Sequence, residues 1–221
     1  MTEHHHHHGP SPEHAHPAAF WEEMYAGSAA VWSGRVNETL AQVVADLTPG
    51  RSLDLGCGEG GDVLWLAERG WEAAGIDLSE TAIGRATAAA TERGFAHARF
   101  YAADLGQWAD QPAALGGPVG PFELITASFF QSPVELQREH ILRAALQRVA
   151  VGGHLVLISH AAAPGGGTDH PDHFVTLEDE LEALALDESR WRVAVAEVRS
   201  RTGRGDGHAL DDTVIVAQRI A

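Results

Sequence analysis

Apolar positions along this chain alternate between helical and strand spacing. Phe20, Trp21, Met24 and Tyr25 share one helical face, and Gly27 closes that segment. A second amphipathic stretch runs from about Val36 to Leu47 and stops at Pro49-Gly50. Ser52 to Leu55 then reads as a short apolar strand, followed by a glycine turn and a helix near Asp62 to Glu68. Glu72 to Ile76 predicts the next strand. Ser79 is placed to cap a helix reaching about Arg93, with Gly94 as its stop.

Arg99 to Ala102 and Phe122 to Ala127 read as the third and fourth strands. Ser132-Pro133-Val134-Glu135 combines a cap, a proline in the first turn and an acid three residues after the cap, predicting a helix from there to about Val149. Gly152-Gly153 is expected to turn into a fifth strand, His154 to Ser159. Thr176 opens a further helix through Leu186, and Trp191 to Val198 and Thr213 to Ala217 alternate like late strands. Repeated strand–helix units imply a parallel sheet covered on both faces. Two late strands with no helix between them imply an antiparallel edge pair. The expected fold is a three-layer α/β, Rossmann-like, doubly wound and mostly parallel sheet over residues 18–221, with residues 18–48 as N-terminal lid helices.

Residues 1–17 carry seven histidines among Gly and Pro and no apolar face, which reads as an added tag or a disordered tail. Charge narrows the chemistry further. The basic residues are 15 arginines and no lysine, against 31 acids, a formal net charge of −16. Without lysine there is no Schiff-base chemistry and no Gly-Lys-Ser/Thr phosphate loop. The acidic balance argues against nucleic acid or an anionic membrane as partner, and no apolar run approaches a membrane span. Cys57 stands alone, which favours a reducing, cytoplasmic compartment. It reads as a small turn residue rather than a nucleophile. Asp169-His170-Pro171-Asp172-His173 has metal-ligand residue types but reads as a solvated loop, so no metal is expected. Oligomeric state is not legible.

In an open parallel sheet, ligands bind beyond the C-terminal strand ends. After the first strand stands Asp54-Leu55-Gly56-Cys57-Gly58-Glu59-Gly60-Gly61, where glycines allow a tight turn and close ligand approach. After the second comes Gly75-Ile76-Asp77-Leu78-Ser79, with Asp77 suited to a ribose diol. Asp104-Leu105 follows the third, an acceptor for an exocyclic amine beside an apolar contact. The glycine spacing also satisfies a dinucleotide fingerprint, which keeps an NAD(P)-dependent oxidoreductase open as an alternative. Asp54 and Asp104 tilt the choice, because an ammonium or sulfonium would use carboxylates that repel a pyrophosphate.

These three stretches, in order and spacing, resemble motifs I, post-I and II of class I S-adenosylmethionine-dependent methyltransferases, over about Phe20 to the C-terminus. Phe20-Trp21 through Trp32-Ser33-Gly34-Arg35 is similar to the tellurite-resistance and thiopurine-type branch that methylates small molecules. The resemblance implies S-adenosyl-L-methionine as cofactor. Asp54 with Gly56 and Gly58 would hold its methionine portion, Asp77 its ribose with Leu78 against the adenine, and Asp104 the adenine amine with Leu105 on the ring. Trp32 and Arg35 would come from the lid, Arg35 forking onto the methionine carboxylate, and Tyr25 would help close the site.

Methyl transfer from a sulfonium is an in-line displacement in which the protein excludes water and aligns the nucleophile. Candidate acceptor-site residues follow the fourth and fifth strands: Ser128, Phe129, Phe130 and Gln131, then His160 as a possible base. The amine-methylating Asn/Asp-Pro-Pro-Tyr/Phe signature is absent; that position reads Thr126-Ala127-Ser128-Phe129-Phe130. With no strong base evident, a thiol or other chalcogen is the expected acceptor on a small molecule, oxygen and nitrogen remaining open. A non-catalytic S-adenosylmethionine-binding protein is the other alternative.

Overall fold

The structure, a computed structural model, describes residues 17–161, 175–202 and 209–221. The histidine-rich segment before Pro17 and the candidate metal loop at 169–173 lie outside the described residues. The chain opens with α1 (Pro17–Ala26) and α2 (Glu38–Val43), then alternates β1 (Arg51–Leu55), α3 (Gly61–Glu68), β2 (Glu72–Asp77), α4 (Glu80–Glu92), β3 (Ala98–Ala102), α5 (Leu105–Asp110), β4 (Phe122–Ser128), α6 (Arg138–Leu146) and β5 (Val149–His160). It ends with α7 (Leu177–Leu184), β6 (Trp191–Thr202) and β7 (Ala209–Arg219).

One seven-stranded sheet has the order β3-β2-β1-β4-β5-β7-β6. Strands β1 to β5 are parallel; β7 runs antiparallel to β5, and β6 antiparallel to β7. The mostly parallel sheet with an antiparallel edge pair is the expected one. Strand order reverses between β1 and β4, so a crevice opens there at the C-terminal strand ends.

Strand alternation sends apolar side chains to both faces. Leu53 and Leu55 of β1 join Trp108, Ile141, Leu142 and Leu184 under α5, α6 and α7. Leu124, Val156 and Val214 join Leu40, Val63 and Leu66 under α2 and α3. The sheet is thus covered by apolar side chains on both faces, and it carries the loops at its upper rim.

Four local expectations need correction. The helix predicted from Ser132 begins at Arg138 instead. The Ser132 hydroxyl accepts from Val134 N–H at 3.2 Å and from Trp21 Nε1–H at 3.3 Å, so the capping residue closes a turn and anchors α1. α5 was not foreseen, because Asp104 was read only as a ligand acceptor; it caps that helix, taking Gln107 N–H on Oδ1 at 2.9 Å. The amphipathic stretch at 36–47 is helical only from Glu38 to Val43, its start set by Asn37 accepting from Thr39 and Leu40 N–H. Gly152-Gly153 lies within β5 rather than before it; Gly152 has φ 85°, and the pairing with β4 shifts register there.

Candidate active site

Beyond β1, β2 and β4 lies a cleft of about 1270 Å³. It is larger than the roughly 300–1,000 Å³ typical of a small-ligand pocket, leaving room for two molecules side by side. All the residues singled out in the sequence for cofactor or acceptor line it.

The floor is the glycine turn after β1. Gly56 and Cys57 both donate N–H to the Ile76 carbonyl, at 2.9 and 3.0 Å, folding the turn back over β2. Gly56 and Gly58 have φ of 70° and 51°, a region favouring glycine. A Cβ on Gly56 would stand 2.8 Å from the Phe130 ring, and one on Gly58 2.8 Å from the Tyr25 hydroxyl. Both glycines are therefore required by backbone angle and by crowding. Cys57 is buried, and burial pushes its thiol well up, which suits an inert turn residue.

Three buried carboxylates surround this turn. Asp54 Oδ1 accepts from the Thr126 hydroxyl at 2.7 Å. Asp77 accepts Gly58 N–H on Oδ2 at 2.9 Å and Ser79 N–H on Oδ1 at 3.0 Å. The third is Asp62, in the first turn of α3, which accepts Asn37 N–H at 2.7 Å. Sequence reasoning passed over Asp62, although an acid one turn past a glycine loop was a readable signal. Burial is the main cause raising all three carboxyl pKa values, with Asp62 and Asp77 also raising Asp54. No ion pair neutralises any of the three among the described residues. Such a cluster suits a cation and repels a pyrophosphate, which argues against the dinucleotide alternative.

Asp77 thus ties the loop to α4 as well as facing the cleft, and Asp104 caps α5 with one oxygen. Each carboxylate keeps acceptor capacity for a ligand. Leu78 and Leu105 flank the same space.

The roof is the N-terminal segment. Trp32 Nε1–H donates to the Tyr25 hydroxyl at 2.9 Å above Gly58. Glu59 accepts the backbone N–H of Val31 and Trp32, at 3.2 and 2.9 Å, and pairs with Arg85 at 2.9 Å. Arg85 also donates to the carbonyls of Tyr25 and Ser28. Glu22 accepts from the Ser79 hydroxyl at 2.7 Å and from the Thr81 hydroxyl, clamping α1 on the start of α4. Glu22, Glu59 and Arg85 were not found from sequence; no local pattern links partners separated by 26 to 60 positions. Arg35 is exposed at the cleft wall, and its guanidinium is in no ion pair among the described residues.

The far end of the cleft is built from β4, β5 and β7. Phe129 holds φ 53°, a strained angle for a non-glycine residue, and its ring stacks on His160 at 4.2 Å. Gln131 accepts His160 N–H at 2.8 Å and donates to the His160 carbonyl at 3.3 Å. Arg138 donates Nε–H to the Phe130 carbonyl at 2.8 Å and forks onto Glu180 at 2.6 and 2.8 Å. His160 Nδ1 lies 3.5 Å from Asp212 Oδ1, the residue opposite it in the β5–β7 register. Asp212 was also missed, because only strand pairing brings it there. Ser128 is half-buried at the cleft wall.

A sequence profile described as a methyltransferase domain matches residues 21–198. The chain belongs to the class I S-adenosylmethionine-dependent methyltransferases. The chain is 34% identical over 160 residues to the 2-heptyl-1-hydroxyquinolin-4(1H)-one methyltransferase of Mycobacteroides abscessus, across 72% of this chain and 66% of that one. It is 31% identical over 163 residues to the ribosomal RNA small subunit methyltransferase C of Chromohalobacter salexigens, across 71% and 43%. The matched stretch covers less than two thirds of either curated relative. TehB from Haemophilus influenzae has the same fold, with a TM-score of 0.67 over 90% of this chain and 66% of that one, at 14% identity. The cofactor of the family, S-adenosylmethionine, fits the site's chemistry: buried acids for its ammonium and sulfonium, and Arg35 for its carboxylate.

Proposed function

We propose that this protein transfers a methyl group from S-adenosylmethionine to a small molecule bound between the cofactor and the Phe129–His160 wall. The observation carrying the reading is the buried trio Asp54, Asp62 and Asp77 around the Gly56–Gly58 turn, in no ion pair among the described residues. In this reading Asp54 and the turn hold the methionine portion, Asp77 and Leu78 the ribose and adenine edge, and Asp104 with Leu105 the far side of the base. Trp32, Tyr25 and Arg35 close the roof.

The sulfonium supplies the methyl group, and the protein's part is alignment and exclusion of water. Phe129 and Phe130 give the acceptor an apolar wall, and Ser128 and Gln131 offer polar contacts. His160, steadied by Asp212, is the group that takes a proton from a hydroxyl acceptor. That supports an ionisable hydroxyl, in keeping with the hydroxyquinolone relative. A thiol or other chalcogen is the second reading, favoured by the apolar Phe129–Phe130 surface, against which a soft nucleophile needs no base. The net charge of −16 speaks against RNA despite the ribosomal relative. The lone Cys57 fits a reducing compartment, and no helix among the described residues is long and apolar enough to cross a membrane.

Mass spectrometry of a panel of phenols, hydroxylated heteroaromatics, thiols and amines tests the proposal. A cofactor-dependent gain of one methyl on the hydroxyl compounds is expected. Cofactor binding without transfer to any of them would leave a non-catalytic binder. Failure to bind S-adenosylmethionine or its demethylated product at millimolar concentration would remove the proposal.

A further inference from the structure

β6 is an outermost strand of the sheet. It pairs with β7 on one side and, among the described residues, with nothing on the other. The opposite margin, β3, is five residues long, whereas β6 has twelve. A free strand margin offers a ladder of N–H and C=O groups, and proteins usually guard it by shortness, a bulge, proline or charged side chains. The first half of β6 has such a guard, because pairing slips register between Val193 and Val195. From Val195 to Thr202 the pairing is continuous and free of proline, and the charged residues in its sequence are of both signs, Glu197 with Arg199 and Arg201. At the middle of this continuous stretch, Val198 is 52% exposed.

The residues around Val198 are self-complementary. Glu197 and Arg199 flank it on the other sheet face and pair with each other. An antiparallel copy of the strand centred on Val198 sets Glu197 opposite the partner's Arg199, and Arg199 opposite the partner's Glu197. Val198 then meets the partner's Val198. Opposite charges directly across a strand pair favour that register, and like charges oppose it. Beside the strand, a groove of about 520 Å³ between Val43 and Leu47 on the α2 side and Val195 and Arg199 of β6 offers further apolar surface to the same occupant.

We infer that two copies of this chain associate through β6, antiparallel about Val198, joining two seven-stranded sheets into one. Arg199 and Ser200 also line the rim of the methyl-transfer cleft, so the second copy stands at its mouth. The association rests on the strand alone and is independent of the proposed activity.

Sedimentation equilibrium over a concentration series tests it. A chelator is included, so that the histidine-rich first residues do not bridge copies through metal. A dimer is expected. Val198→Lys, which sets two ammonium groups face to face, should raise its dissociation constant about tenfold or more. Glu197→Arg should weaken it as well, and the Glu197→Arg, Arg199→Glu double variant should restore it, since the exchange preserves every opposite-charge contact. Cofactor-free thermal melts check that each variant is folded. A monomer at every concentration overturns the inference, as does a dimer indifferent to Val198→Lys. A weakened dimer that the double exchange fails to restore overturns the register.

Discussion

Trp32 donates its indole N–H to the Tyr25 hydroxyl at 2.9 Å, and that hydroxyl sits 2.8 Å from where a Cβ on Gly58 would stand. The pair is the point at which the N-terminal roof touches the glycine turn on the cleft floor. Gly58→Ala therefore loses twice: its φ of 51° strains any other residue, and the new methyl drives against the hydroxyl. The variant should lose about 1–3 kcal/mol of stability and bind S-adenosylmethionine about tenfold more weakly. Calorimetry and thermal melts read both. Unchanged affinity would dissociate the roof from the cofactor site.

The buried acids set a pH dependence. Burial holds the carboxyls of Asp54, Asp62 and Asp77 above the usual range. The folded state then binds more protons than the unfolded one between the ordinary and the raised values, so this source of stability is greatest in acid and declines as pH rises through that window. A bound cation favours the ionised carboxylates. The gain in melting temperature from S-adenosylmethionine should therefore grow from about pH 4 upward, flattening once the acids are ionised. A gain that shrinks with rising pH would contradict the cation-site assignment.

His160 and Asp212 separate the two acceptor chemistries. If His160 removes the proton of a hydroxyl, His160→Gln should lower kcat for hydroxyl acceptors by about 10²-fold or more, while thiol acceptors change little. Asp212→Asn should alter the pH profile of the hydroxyl reaction and leave cofactor affinity intact. Equal losses on both acceptor classes would make the pair structural.

Arg138 and Glu180 hold the acceptor wall through a pair in which Glu180 is only 1% exposed. Arg138→Met strands a buried carboxylate and should cost about 3–5 kcal/mol. The Arg138→Met, Glu180→Leu double variant should recover much of that stability, since no charge is left uncompensated. It should still raise KM for the acceptor, because the Phe130 carbonyl and the Ser159 hydroxyl lose their donor. Denaturant melts and acceptor kinetics check both halves.

The lid clasp predicts a different signature. Arg85→Met removes the bonds to Glu59 and to the carbonyls of Tyr25 and Ser28 at one stroke. Limited proteolysis should cut sooner within residues 26–37, and KM for S-adenosylmethionine should rise more than kcat falls. Protection equal to that of the parent protein would mean that the roof is held elsewhere.

Local pattern made the repeated strand–helix units legible, together with the glycine turn at 56–58 and the acids Asp54, Asp77 and Asp104 at three strand ends. Those signals need only a few adjacent residues, because strand period, turn geometry and capping act over short range. Ser132 shows their limit: its pattern predicts a helix start, but the helix begins at Arg138, and the Ser132 hydroxyl serves Trp21 of α1 and a tight turn instead. Local pattern alone thus carried the sheet and the family, and it pointed to the strand-end crevice as the proposed cofactor site. Only the tertiary structure decided which distant groups complete the site. Asp212 reaches His160 through the β5–β7 register, and Glu22, Glu59 and Arg85 fasten the roof across up to 60 positions. Such contacts leave no local trace, since a side chain's type records its chemistry but not the neighbour that folding brings to it.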